Sequence, residues 1–170
     1  QYKLQQGKLS KIVLGYTPLD KDEFGSTTYN QLSNTKQMYV RGVYPPRDRK
    51  DAIENSRCDK RKEPVSVVTH EFGHLLCQFR GDLTNDMFLF KSSVESLYQE
   101  YRQDIRRLIA TNDMKLLSKI VLGDVTNNGG VGEFLAEAFQ EYKNCSKPSK
   151  YAESVGHLID GFLGRQKSKS

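Results

Sequence analysis

The residues best suited to chemistry in this chain are two histidines four positions apart, His70 and His74, with Glu71 directly after the first. On an α-helix, positions i and i+4 lie on one face one turn apart, so both imidazoles can reach one metal ion. In a helical His-Glu-x-x-His pattern, the histidines bind Zn²⁺ and the glutamate serves as general base toward the metal-bound water. The pattern His-Glu-Phe-Gly-His therefore predicts a zinc-binding helix. The competing interpretation is two ordinary histidines that bind no metal.

Catalytic zinc needs a third protein ligand and one open position. The remaining histidine, His157, is a candidate, but no acid accompanies it, and we expect it to be a partly exposed helix residue. Glu133 and Glu137 are better candidates, because they lie four apart on one predicted helix face, which Glu141 continues. A solvated acidic stripe is the alternative interpretation of that face.

These two motifs, His-Glu-Phe-Gly-His and the later Glu-Phe-Leu-Ala-Glu-Ala-Phe, resemble the zinc peptidase domain of anthrax lethal factor and its relatives. The group belongs to the gluzincins and includes peptidase-like domains of bacterial toxins and phage-encoded proteins. The resemblance implies that His70, His74 and Glu133 bind the metal and that Glu71 is the general base. It also implies that Glu137 lies outside the first coordination sphere and hydrogen-bonds a ligand histidine.

The resemblance covers the stretch from about residue 64 to 143 and implies a zincin-like fold. The implied function is that of a hydrolase, a zinc-dependent metalloendopeptidase that cleaves protein or peptide substrates through a Zn-activated water. It further implies that a strand forms the upper edge of the cleft, where the peptide adds as an extended strand. Either Gln37–Val40 or Leu9–Leu14 is expected to supply that edge.

The chain departs from this family in one respect. The lethal-factor pattern has a tyrosine shortly before the third ligand that helps to stabilise the oxyanion, and the stretch Asp124–Gly132 has none. Three alternatives stay open. Another donor replaces it, such as Tyr39 or a residue of this Asn/Gly-rich loop. Turnover is slow or narrowly specific. Or the domain is a zinc-binding structural or interaction module of a phage or toxin protein with little or no peptidase activity.

The elements that must position these residues indicate an α+β fold, a single domain over residues 1–170 with a small N-terminal sheet and a helical body. Residues 1–62 are expected to form the sheet and loops, residues 63–164 the helices, and residues 165–170 a basic tail. Apolar residues at short, regular intervals predict three strands, at Leu9–Leu14, Thr27–Tyr29 and Gln37–Val40.

Five helices are predicted from apolar residues that recur at helical spacing. They begin near Pro64 (ending by Gly81), at Ser92 with Glu95 completing a capping box, at Asp113, before Glu133, and after Ser149. The buried face of the second helix is expected to extend from Val94 through Leu108 and Ile109.

Composition limits the remaining classes of function. No apolar run approaches the roughly 20 residues that a membrane span requires, so no span is expected. The net charge is +5, but the cations are scattered among acids, so no nucleic-acid partner is expected. The chain opens on Gln1 rather than Met, which suggests an excised domain or processed fragment. Its localisation, with secreted and phage-associated sites both compatible, and its oligomeric state stay open.

Three cysteines occur: Cys58, Cys77 and Cys145. An odd, small number argues against a disulfide scaffold. One disulfide with one free thiol and three free thiols are both compatible with the sequence. Cys77, three residues past His74, is expected to fill the core.

Overall fold

A three-stranded sheet opens the chain. In the computed structural model, strands β1 (Lys8–Leu14), β2 (Gly25–Asn30) and β3 (Thr35–Val40) lie in the order β1-β3-β2. The central strand β3 is parallel to β1 and antiparallel to β2. The structure describes residues 8–14, 25–30, 35–40, 63–77, 85–122 and 130–168.

The rest of the described chain is almost entirely helical, so the predicted α+β class is confirmed. The five helices are α1 (Glu63–Cys77), α2 (Asn85–Ala110), α3 (Met114–Ile120), α4 (Val131–Asn144) and α5 (Lys150–Ser168).

Helix α1 lies between the sheet and the other helices, because it contacts β2 and β3 on one side and α4 on the other. Toward the sheet, Leu75 packs with Met38 and Val40, and all three side chains are buried. These two positions of β3 share a face, since side chains alternate along a strand. The histidine helix is therefore held from both sides.

The larger core joins α2, α4 and α5 and is dense in aromatic rings. The ring of Tyr101 lies 5.2 Å, between centroids, from both Phe134 and Tyr151. Edge-to-face and tilted ring pairs at this separation add to the stabilisation from burial itself. This core fixes α4, which carries the two glutamates of interest.

Two boundary predictions are wrong. Helix α2 begins at Asn85 rather than Ser92, and the Ser92 carbonyl already accepts a hydrogen bond from the Ser96 hydroxyl at 3.0 Å inside the helix. Packing explains the earlier start, because Met87 and Phe90 in the first turns are buried. Helix α5 continues to Ser168, so residues 165–168 of the predicted tail are helical.

Two further outcomes concern α2 and α3. Ile109 was expected to face the core, but its side chain is 60% exposed because Leu108 takes the buried position in the last turn. The third helix agrees with the sequence: Asp113 is its N-cap, and its carboxylate accepts a hydrogen bond from Leu116 N at 3.0 Å.

Cys77 is not disulfide-bonded and packs at the margin of the larger core, whereas Cys145 is disulfide-bonded. The alternative of three free thiols is therefore wrong. Cys58 lies outside the described residues. Among the helices that the structure describes, none combines the length and the apolar character needed to cross a membrane.

Candidate metal centre

Two helices bring the candidate ligands together. Helix α1 carries His70 and His74, and α4 carries Glu133. The helices meet closely between the ligands: a Cβ atom on Gly73 would lie 2.5 Å from Ala136 Cα. Because only glycine allows this approach, the backbones come near enough for side chains from both helices to converge on one point.

The converging atoms are spaced as the ligands of one small cation would be. His70 Nε2 lies 3.1 Å from His74 Nε2, and the Glu133 oxygens lie 3.3 Å from each of these nitrogens. Tetrahedral ligands at bond lengths of about 2.0–2.1 Å are separated from one another by about 3.3–3.4 Å. The group of His70, His74 and Glu133 can therefore hold a metal ion.

The other ring nitrogen of His70 is held on its far side. His70 Nδ1 lies 3.2 Å from Glu137 Oε1 and 3.1 Å from Gln140 Oε1. Gln140 Nε2 donates a hydrogen bond of 2.8 Å to Ser66 Oγ, which turns the amide oxygen toward the ring. With two oxygen acceptors beside it, Nδ1 keeps a proton, so the neutral ring that binds a metal would present the lone pair of Nε2 to the metal position.

Sequence reasoning placed Glu137 beside a ligand histidine and missed Gln140. The signal was present in the spacing, because Gln140 follows Glu133 by seven residues and Glu137 by three. These intervals put all three side chains on one face of α4. A glutamine does not stand out as a metal-site residue until its amide contacts are known.

The charges of this cluster favour a cation between the side chains. Burial lowers the pKa of His70, but hydrogen bonds and charges from Glu133 and Glu137 outweigh it and raise that pKa to about 10. The His70 and His74 rings in turn hold the pKa of Glu133 well below its usual range. Without metal, a proton therefore takes the place of the cation.

The Glu71 side chain contacts strand β2 of the sheet. Its side chain is buried, and Thr27 Oγ1 on β2 donates a hydrogen bond of 2.6 Å to Glu71 Oε2. The carboxylate also lies directly against Gly25, where a Cβ atom would come within 2.6 Å of Glu71 Oε1. Glu71 is not one of the grouped metal-ligand candidates.

Two other predicted residues lie elsewhere. His157 is exposed on α5 and meets the ring of Tyr142 edge-on at 5.8 Å. Glu141 does not continue the acidic face, because its buried carboxylate accepts a hydrogen bond from Ser149 N at 2.5 Å, just ahead of α5. It stabilises the start of that helix instead.

Tyr39 and a residue of the Asn/Gly-rich loop were the two alternatives for the oxyanion donor. Tyr39 alternates with the buried Met38 and Val40, so it points away from α1, and its hydroxyl donates to Gln37 Oε1 at 2.5 Å. It is therefore not a donor for this site. Most of the Asn/Gly-rich loop, residues 123–129, lies outside the described residues.

Comparison of the chain with protein-family models, with curated proteins and with solved structures gives no match.

Proposed function

We propose that this protein is a zinc-dependent metalloendopeptidase of the gluzincin type, with a zincin-like fold. The observation that carries the proposal is the convergence of His70 Nε2, His74 Nε2 and the Glu133 carboxylate within 3.1–3.3 Å of one another. The ligands come from two helices, and they occur in the order His, His, Glu along the chain. Glu137, beside His70 Nδ1, takes the role of an outer acceptor.

The donor set favours zinc. Imidazole nitrogens and a carboxylate oxygen are common zinc ligands, and three protein ligands leave the open position that catalytic sites require. Zn²⁺ held there would polarise a carbonyl group and lower the pKa of water in the open position. Two histidines with one carboxylate also suit Fe²⁺ in other proteins, so the metal content must be measured rather than assumed.

In this proposal the protein moves the proton through Glu71. Its carboxylate accepts a proton from the attacking water and returns it to the nitrogen of the departing amine. Glu71 neighbours His70 in sequence but is held by β2, so the base and the ligands have separate supports. That separation suits a base, which must stay unbound to the metal.

The substrate is proposed to bind along β2. Strand β3 is hydrogen-bonded on both sides, so the expectation that Gln37–Val40 forms the cleft edge is wrong. Of the two outer strands among those described, β2 is the one whose residues hold Glu71. An extended peptide that pairs with β2 would pass beside the base.

The first test measures the metal. We expect the purified protein to bind one zinc ion per chain and Glu133→Ala to lose it or bind it at least 10-fold more weakly, because a ligand is removed. Elemental analysis and calorimetric titration with Zn²⁺, Fe²⁺ and Mn²⁺ give the values. Glu95→Ala, an exposed glutamate on α2, is the matched control. Unchanged zinc affinity in Glu133→Ala would remove Glu133 from the site.

The second test measures cleavage. We expect a peptide library to be cut in a chelator-sensitive manner, and Glu71→Gln to keep zinc but lose about 10²–10⁴-fold in rate. Full activity in Glu71→Gln would rule out this glutamate as the base.

Two observations favour a second function, that of a zinc-binding structural or interaction module. The stretch before Glu133 lacks the tyrosine of the lethal-factor pattern, and Tyr39 points away from α1. An oxyanion donor contributes strongly to peptidase rates. Stoichiometric zinc with no chelator-sensitive cleavage of the library would support this module over the peptidase.

A further inference from the structure

The β2 strand holds Glu71 from two directions. The Thr27 hydroxyl donates to Glu71 Oε2 at 2.6 Å and lies 3.4 Å from the backbone oxygen of the same residue. Gly25, two residues earlier on the same strand, leaves the space that the carboxylate fills. These are contacts between a buried carboxylate and a strand 44 positions away in sequence.

The register of the sheet explains why both residues face the helix. Gly25 is opposite Val40 and Thr27 is opposite Met38, the two β3 residues that pack against α1. Side chains directly opposite each other in a ladder share a face. Thr28, opposite Gln37, is exposed and lies on the other face.

A buried carboxylate needs a donor, because leaving it without a hydrogen bond is costly. Thr27 supplies one at a short distance, and the absent side chain at Gly25 prevents the carboxylate from being pushed aside. A side chain that is fixed in this way seldom adopts unproductive rotamers.

We propose that Thr27 is a positioning residue for Glu71 and that Gly25 leaves the space that the Glu71 carboxylate occupies. Strand β2 therefore sets the orientation of the general base. This inference rests on the proposed function and adds to it a residue that is not one of the grouped metal-ligand candidates. It also joins two roles in one strand: β2 receives the peptide with its backbone and aligns the base with its Thr27 side chain.

The test uses three variants of the full chain: Thr27→Val removes the hydroxyl at nearly constant volume, Thr27→Ser restores it, and Thr111→Val makes the same change at an exposed position outside the sheet. With the best peptide from the library, we expect Thr27→Val to lower kcat about 10- to 100-fold with little change in KM. Thr27→Ser should recover most of kcat, and Thr111→Val should match the parent protein. Zinc affinity should be the same in all of them.

A further variant tests the space at Gly25 that the Glu71 carboxylate occupies. Gly25→Ala should also lower kcat while zinc affinity is kept, because the added Cβ would displace the Glu71 carboxylate rather than a ligand. A drop in kcat for Thr27→Val that Thr27→Ser does not reverse would overturn the proposal, as would equal losses in Thr111→Val.

Crystal structures of the Thr27 variants test the positioning of Glu71 without an activity assay. We expect the Glu71 carboxylate to leave its position in Thr27→Val and to keep it in Thr27→Ser. An unmoved carboxylate in Thr27→Val overturns the positioning role. If the parent protein cuts no peptide, the peptidase proposal fails, and the position of Glu71 in these structures still answers whether Thr27 holds it.

Discussion

At the scale of single residues, His70 is the most constrained side chain of the centre. One ring nitrogen faces His74 and Glu133, and the other faces Glu137 and Gln140. The ring therefore can neither flip nor exchange its tautomer without losing contacts on both sides. Two predictions follow from this arrangement.

The first concerns Gln140. We expect Gln140→Ala to weaken zinc binding about 10-fold, because one of the two acceptors that orient the His70 ring is lost. The change belongs at the low end of such effects, since Glu137 still accepts from Nδ1. Calorimetric titration measures it, and Gln103→Ala, an exposed glutamine on α2, is the control. Equal zinc affinities for Gln140→Ala and the parent protein would contradict the role.

The second prediction concerns the protons that are released when zinc binds. Because the pKa of His70 is raised to about 10, the metal-free site carries a proton at pH 7 that a metal must displace. We expect zinc affinity to rise about tenfold per pH unit from this group and to level off as the pH passes about 10. Calorimetry in buffers with different heats of ionisation counts the protons released. Zinc binding at pH 7 with no proton release would contradict this assignment.

The same shift has a consequence for the metal-free protein with a definite sign. A raised folded-state pKa means that His70 contributes stability below its usual pKa of 6.5, and this contribution is lost as the pH rises toward about 10. The Glu133 pKa is lowered, so its contribution is present above the usual value of 4.5 and is lost on acidification.

At the scale of elements, the contact between α1 and α4 sets the centre. We expect Gly73→Ala to destabilise the fold by about 1–3 kcal/mol and to weaken zinc binding, because its Cβ would meet the backbone of Ala136 and push the helices apart. Urea unfolding and zinc titration measure the two effects. Gly164→Ala is the matched control, since a Cβ there has open space. A neutral Gly73→Ala would show that the helices adjust freely.

Local patterns predicted the elements better than their ends or their partners. Asp113 marked the start of α3 because a cap is a short-range interaction. The start of α2 and the exposure of Ile109 depend on which neighbours are packed nearby, and spacing within one helix does not contain that information.

In the candidate site, too, residues at short spacing along one helix could be predicted, whereas contacts between distant parts of the chain could not. Spacing on each helix picked out His70, His74 and Glu133, because four-residue intervals define a face. The contacts of Glu71 with Thr27 and of Gln140 with Ser66 join positions 44 and 74 residues apart. Only the packed structure brings these pairs together.

At the scale of the whole molecule, the histidine helix is the middle layer. Its sheet side is secured by the small cluster of Met38, Val40 and Leu75, and its other side by α4 and the larger core behind it. A metal bound between α1 and α4 would therefore link the sheet-bearing part to the helical body.

This arrangement predicts that metal stabilises the fold. Zinc at 100 times its dissociation constant adds about 2.7 kcal/mol, which for a chain of this size raises Tm by about 5–11 °C. Thermal unfolding followed by circular dichroism, with zinc and with a chelator, measures the shift. Glu133→Ala should show no such shift, and the same Tm for the parent protein with and without metal would contradict the linkage.

The contact between Gly73 and Ala136 also says what relatives of this chain should look like. Each small residue follows the first ligand of its own helix, His70 or Glu133, by three positions. In relatives that keep this contact, position 73 should stay glycine, because its Cβ would meet the backbone at position 136, which no smaller side chain there relieves. A search that requires both motifs, in this order and with both small residues, would therefore recognise distant kin that overall sequence identity misses.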